Sequence, residues 1–172
     1  ELVSLLTQRA SIDALTGQLN RRGIVNEITR ILADSDSDAS CYALSAVDID
    51  GFQCFNDQLG HGVGDELLRQ VGATIESACG RGAAIGRLQG DRFVILTPVD
   101  TEKDAEKLSR KFLREIASLS IGNEDNELSA TCSVGTLLFS VTEEALVTQD
   151  LLEETDALVR AAKLKGSGSY CL

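Results

Sequence analysis

Apolar residues recur along this chain at two spacings that take turns. Residues 1–34 carry helical spacing, with Leu2, Leu5 and Leu6 followed by Ile24, Ile28, Ile31 and Leu32. The stretch DALTGQLN (13–20) interrupts it with a glycine and two candidate caps, Asp13 and Asn20. This predicts a short linking helix over 1–12, a turn and a longer helix, with the main domain occupying 13–172. ADSDSDAS (33–40) reads as a polar loop. CYALSAVDI (41–49) is short, small and apolar and ends in acids, which suits a central strand whose C-terminal end opens into a site. After a loop, VGDELLRQVGATIESAC (63–79) returns to helical spacing through Leu67, Leu68, Val71 and Ile75, with acids in its first turn.

AAIGRL (83–88) and RFVILT (92–97) read as two strands of a hairpin. Gly90-Asp91 between them suits a two-residue type II′ turn, in which the first position needs a positive φ. DTEKDAEKLSRKFLREIASL (100–119) begins with a cap and acids and continues as an amphipathic helix through Ala105, Leu108, Phe112, Leu113 and Ile116. LSATCSVGTLLFS (128–140) is strand-like, and TQDLLEETDALVRAAKLKG (148–166) reads as a capped helix ending in lysines and a glycine. The order ααβαββαβα predicts an α+β sandwich, with helices covering a mainly antiparallel sheet.

Composition narrows the function classes. With 172 residues, 43% of them hydrophobic, the chain can build one domain with a real core. Its 16 basic and 27 acidic residues leave a formal charge of −11, which argues against nucleic-acid partners and direct membrane contact. An anionic ligand therefore needs a local device, such as a metal ion or converging amides. The cysteines Cys41, Cys54, Cys79, Cys132 and Cys171 form no C-x-x-C pair, and read as small core residues of a reduced compartment. No signal peptide and no apolar run near 18 residues is present, so the expected location is cytoplasmic, within a longer parent protein that could itself be membrane-anchored.

Two clusters could carry chemistry. Asp48 and Asp50 stand two apart at a strand end, where side chains alternate faces, so one of them can point into a given site unless the strand breaks. Asp91, on the tip of the neighbouring hairpin, could supply a second ligand for a hard cation such as magnesium. The plainer alternative is a set of solvated acids at loop edges. NDQLGHGVGDELL (56–68) gathers Asn56, His61, Asp65 and three glycines before a helix. Asn56 and Asp65 could read an edge carrying amide and amine groups, such as that of guanine. The alternative is an ordinary loop with Asp65 as helix cap and His61 as a structural hydrogen-bonder.

Taken together, DALTGQLNRRGI, DIDGFQCFNDQLGHGVGDELL, RLQGDRF and AAKLKGSGSY resemble, in order and spacing, the GGDEF-domain family of bacterial diguanylate cyclases. The resemblance implies a palm-like α+β fold and an activity in which two GTP-loaded domains face each other and make cyclic di-GMP with two-metal assistance. By position it implies that Asp48, the carbonyl of Ile49 and Asp91 hold metal, that magnesium enters with GTP, and that Asn56 and Asp65 read guanine. The amides of Gly51 and Phe52 would lie along the phosphates, and Lys163 matches a phosphate-binding lysine.

The signature itself departs from the family. It reads Gln89-Gly90-Asp91-Arg92-Phe93, with glutamine for the first glycine and Arg92 for the second acid. An arginine neither accepts a proton nor binds a cation. Gln53 and Ser167 stand where the family usually has lysine and arginine, with Lys165 near enough in sequence to stand in for the latter. The segment GRGA (80–83) lacks the R-x-x-D of the family's inhibitory product site. The expectation is a degenerate GGDEF domain that binds GTP, does no catalysis and regulates an adjacent phosphodiesterase or answers a sensor domain. Alternatives are a working diguanylate cyclase, or a nucleotide-free module for homodimerisation or docking.

Overall fold

The structure, a computed structural model, describes residues 11–33, 41–123, 126–141 and 146–172. The helix expected over 1–12 and most of the loop at 33–40 lie outside the described residues, while Ser11 and Ile12 are turn and bridge rather than helix. In chain order the elements are β1 (Leu19–Asn20), α1 (Arg21–Leu32), β2 (Cys41–Ile49), α2 (Phe52–Leu59), α3 (His61–Ala78), β3 (Ala84–Gln89), β4 (Arg92–Pro98), α4 (Glu102–Ala117), β5 (Ser120–Asn123), β6 (Asn126–Ser129), β7 (Cys132–Ser140), α5 (Thr148–Lys165) and β8 (Tyr170–Cys171).

Six strands form one sheet in the order β1-β3-β4-β2-β7-β8, and β5 with β6 makes a separate hairpin. The four inner strands pair antiparallel, and the two-residue strands β1 and β8 add parallel edges. β2 is central, as its near-continuous apolar run requires, and it is buried along nearly its whole length.

Alternation along the strands divides the core into two layers. Val47, Ile49, Phe93, Ile95, Cys132 and Val134 point to one face and pack with Leu67, Leu68, Val71 and Ile75 of α3 and Phe112 and Ile116 of α4. Tyr42, Leu44, Ala46, Val94, Leu96 and Phe139 point to the other and pack with Ile24 and Ile28 of α1 and Leu151, Leu152 and Val159 of α5. Each such fully buried side chain contributes about 1.5–3 kcal/mol relative to exposure, so the two layers supply the main driving force. Gly135 lets β7 approach α5 closely: a Cβ there would lie 2.4 Å from the backbone nitrogen of Val159.

Several expectations need correction. The segment after β2, read as a loop, contains the eight-residue helix α2, entered through Gly51 at φ 68°. α3 begins at His61, so Asp65 lies inside the helix and neither caps it nor stands in its first turn. Asp13 accepts from the amide and hydroxyl of Thr16 in a turn and caps no helix, whereas Asn20 does cap α1 by accepting from the amide of Gly23. α5 starts after Val147 without a side-chain cap. Cys54 is exposed, while Cys132 and Cys171 are the buried cysteines. The hairpin turns at Gly90-Asp91 as expected, with φ 61° at Gly90, and a bulge that was not expected falls between Arg87 and Gln89. No helix among the described residues is long and apolar enough to cross a membrane.

Candidate functional site

Strand alternation places the site. Asp48 has the parity of Leu44 and Ala46, and Arg92, its direct cross-strand partner, has the parity of Val94 and Leu96. Both therefore face the layer of α5, the helix that carries Asp156 and Lys163.

There Asp48 is held from two sides. Its side chain is only 8% exposed. Arg92 Nη2 reaches its Oδ2 at 3.1 Å, with Nε at 3.4 Å from the same atom, and Lys163 Nζ donates to its Oδ1. Arg92 Nη1 lies 2.8 Å from Asp156 Oδ1, so the guanidinium bridges β2 and α5. Asp91, on the adjacent turn, has its carboxyl pushed up by burial and by the charge of Asp48, with Lys163 and Arg92 pulling the other way.

The second acid of the strand end goes elsewhere. β2 stops at Ile49, and Asp50 accepts from Thr131 Oγ1 at 2.8 Å, Ser133 Oγ at 2.7 Å and the amide of Gly168 at 2.9 Å. Its carboxylate thereby ties the end of β2 to β7 and to the loop before β8. The hairpin tip is tethered too: Arg87 donates through Nε to the carbonyl of Gly90 and pairs with Asp13 at 3.1 Å. Burial tends to raise the Asp13 carboxyl, but bonds from Thr16 and Arg87 outweigh it and hold the group below the usual carboxylate range.

At the other end of the site, α2 docks on α3 and brings Asn56 against Gly64. A Cβ at Gly64 would lie 1.8 Å from Asn56 Oδ1, so only glycine admits this approach. That Oδ1 is buried and has no hydrogen-bond partner among the described residues, a condition it shares with Gln18 Oε1. Asp65 is exposed one residue further along α3. Gly51 and Phe52 stand at the start of α2, where helix geometry leaves amides without intrahelical acceptors. Gln53 is spent on Asp57 along the same helix, and Gln89 is exposed. Lys165 donates to the carbonyl of Tyr170 at the β8 edge rather than joining Asp48.

The structure thus brings together Asp48, Asp91, Arg92 and Lys163, and sets Asn56 against Gly64, the residue before Asp65. Sequence reasoning missed Asp156 and the role of Asp50. Asp156 had a signal: it lies two helical turns before Lys163, on the same face of α5. Asp50 had none, because Thr131, Ser133 and Gly168 are remote in sequence.

The metal expected on Asp48, Ile49 and Asp91 does not fit this arrangement. Both oxygens of Asp48 are occupied by protein cations. A magnesium ion about 2 Å from an oxygen would sit within roughly 5 Å of the nitrogen on it, a repulsion of several kcal/mol.

The fold is a palm-like α+β domain with a mixed six-stranded sheet between helices, and comparison with known proteins agrees. The profile of the family described as "Diguanylate cyclase, GGDEF domain" matches residues 10–169. The chain belongs to the GGDEF-domain family. Its relatives include the bifunctional diguanylate cyclase/cyclic di-GMP phosphodiesterase MucR of Pseudomonas aeruginosa, 30% identical over 96% of this chain and 24% of MucR. Another is the cyclic di-GMP phosphodiesterase PdeB of Shewanella oneidensis, 26% identical over 94% of this chain and 18% of that protein. Among solved structures, the diguanylate cyclase SiaD of Pseudomonas aeruginosa, in complex with its activator SiaC, superposes with a TM-score of 0.84 at 27% identity, covering 97% of this chain and 63% of that one. The coiled coil and GGDEF domain of DgcB from Caulobacter crescentus, in complex with c-di-GMP, gives a TM-score of 0.85 at 23% identity over 98% and 88% of the two chains. The chain spans about a quarter or less of these two curated relatives.

Proposed function

We propose that this chain is a catalytically silent GGDEF domain that binds GTP and serves as a regulatory module in cyclic di-GMP signalling. The observation that carries this reading is the hold of Arg92 and Lys163 on Asp48. The acid from which the chemistry would be run is neutralised, and the residue in the place of the family's second acid is a cation bridged to Asp156. Losing a positioned acid or base costs roughly 10²–10⁴-fold in rate, and losing metal stabilisation of the transition state costs several kcal/mol more. Turnover falls to background under those two losses together.

Binding rests on the other end of the site. The inward-facing Oδ1 of Asn56 and the exposed carboxylate of Asp65 are acceptors, and guanine offers a ring N–H and an exocyclic amine to match them. A donor reaching Asn56 Oδ1 would give that buried atom the partner it lacks, and that bond would favour recognition of the base. With GTP bound, the module would act on a neighbouring phosphodiesterase or sensor domain of a longer cytoplasmic protein, as a monomer or a homodimer.

Calorimetry of the folded chain with GTP in magnesium buffer, followed by chromatography of the mixture, tests the proposal. Saturable heat with GTP recovered unchanged is the expected result. The absence of heat at millimolar GTP overturns the binding, and cyclic di-GMP in the mixture overturns the silence.

A further inference from the structure

The phosphate end of this site holds two fixed cations where a divalent ion would otherwise be needed, although its acids still outnumber them. Five side chains converge there: the acids Asp48, Asp91 and Asp156 and the cations Arg92 and Lys163, for a sum of −3 + 2 = −1. Arg92 and Lys163 together supply the same charge as one divalent ion. They are placed by strand pairing and by a helix, and so do not depend on the metal concentration around the protein. With a glutamate at position 92 the same five positions would sum to −4 + 1 = −3, a charge that phosphates could approach only in the company of metal.

Occupancy points the same way. Each oxygen of Asp48 already accepts from a protein cation: Arg92 donates to Oδ2 and Lys163 to Oδ1. Arg92 uses Nε and Nη2 on Asp48 and Nη1 on Asp156, which leaves two of its five N–H groups for another acceptor. Lys163 likewise keeps two of three, and its side chain is 43% exposed, so both cations can serve a phosphate without leaving Asp48.

From this geometry we propose that the domain binds its nucleotide without a divalent metal, the phosphates being held by Arg92 and Lys163, and that Asp48 is a positioning residue for these cations and not a metal ligand. The proposal rests on the guanine-nucleotide reading above. It goes beyond that reading by assigning the site's charge balance to the protein itself.

Two measurements test it separately. First, manganese alone is titrated into the nucleotide-free chain and followed by electron paramagnetic resonance. The expected result is that the ion stays free, while Arg92→Glu takes it up; uptake by the unaltered chain at submillimolar manganese overturns the proposal. Second, the dissociation constant of GTP is measured with magnesium and with EDTA. The unaltered chain is expected to change by less than about tenfold, and Arg92→Glu by more than that. A greater-than-tenfold loss in EDTA for the unaltered chain overturns the proposal while leaving GTP binding intact. If the chain ignores GTP in both buffers and manganese stays free, the GTP reading fails and the exclusion of metal stands. Should Arg92→Glu not fold, Arg92→Gln serves in its place, and the results on the unaltered chain remain decisive.

Discussion

The two ends of this site were furnished in opposite ways. At the α2–α3 end, Asn56 turns a buried oxygen inward with nothing to bond it, and Asp65 stands exposed one residue beyond the glycine that makes room for Asn56. At the β2–α5 end, both oxygens of Asp48 are bonded and Arg92 is shared between two acids. A polar atom left without a partner is expensive and gains from a ligand donor, whereas at the β2–α5 end the charges already answer one another before any ligand arrives. Under the proposed function, the contrast would put recognition of the base at the α2–α3 end and the loss of chemistry at the β2–α5 end.

Four substitutions sharpen or break that contrast. The largest effect is expected from Asp50→Ala, which removes three charged hydrogen bonds and releases the loop at Gly168; thermal or urea unfolding should register a loss of about 3 kcal/mol. Next, Asn56→Ala should weaken GTP binding roughly 10–100-fold, about 1.4–2.7 kcal/mol, with unfolding unchanged or improved because an unpartnered buried atom is gone. A loss of stability with GTP affinity intact would mean that Asn56 is structural.

Asp48→Asn separates a paired acid from a metal acid by sign. In a cluster of acids awaiting metal, removing one relieves repulsion and stabilises the free protein. Here it strips Arg92 and Lys163 of their shared partner, and a loss of about 1–2 kcal/mol is expected, discounted because both cations are partly exposed.

The smallest effect belongs to Asp91→Asn. Burial and the nearby charge of Asp48 raise the Asp91 pKa above its unfolded value. The folded chain therefore holds that proton more tightly than the unfolded chain, and the ionised group costs stability above the folded pKa. That cost fades as pH falls through the folded value and is absent below the unfolded one. Asparagine should raise the melting temperature slightly at neutral pH and give no gain below the ordinary carboxylate range. Asp13 runs oppositely: its pKa is lowered, so its contribution is present above the unfolded value and is lost as pH falls through the folded one.

Much of this could be read from the sequence because period and burial agree. Ile24, Ile28, Leu67, Val71, Phe112 and Ile116 lie where helical spacing places them, and the parity of β2 separates Val47 from Leu44. The helix α2 escaped because it buries none of its residues fully and is started by the left-handed backbone of Gly51, so neither its period nor its cap stood out. The edge strands β1 and β8, two residues each, are defined by their partners and carry almost no pattern of their own. The substitution of Arg92 was plain, but its consequence was not: that it would seize Asp48 and Asp156 depends on β2, β4 and α5 meeting, which no local spacing encodes.

Product analysis of the concentrated chain incubated with GTP and magnesium decides whether the domain is silent. The account predicts that GTP is bound and recovered intact, and that Gln89→Gly with Arg92→Glu forms cyclic di-GMP at a measurable rate, slowed by Gln53 and Ser167. Cyclic di-GMP from the unaltered chain would contradict it. So would a folded double variant that binds both GTP and metal yet forms no product, because the silence would then lie outside the ion pairs around Asp48.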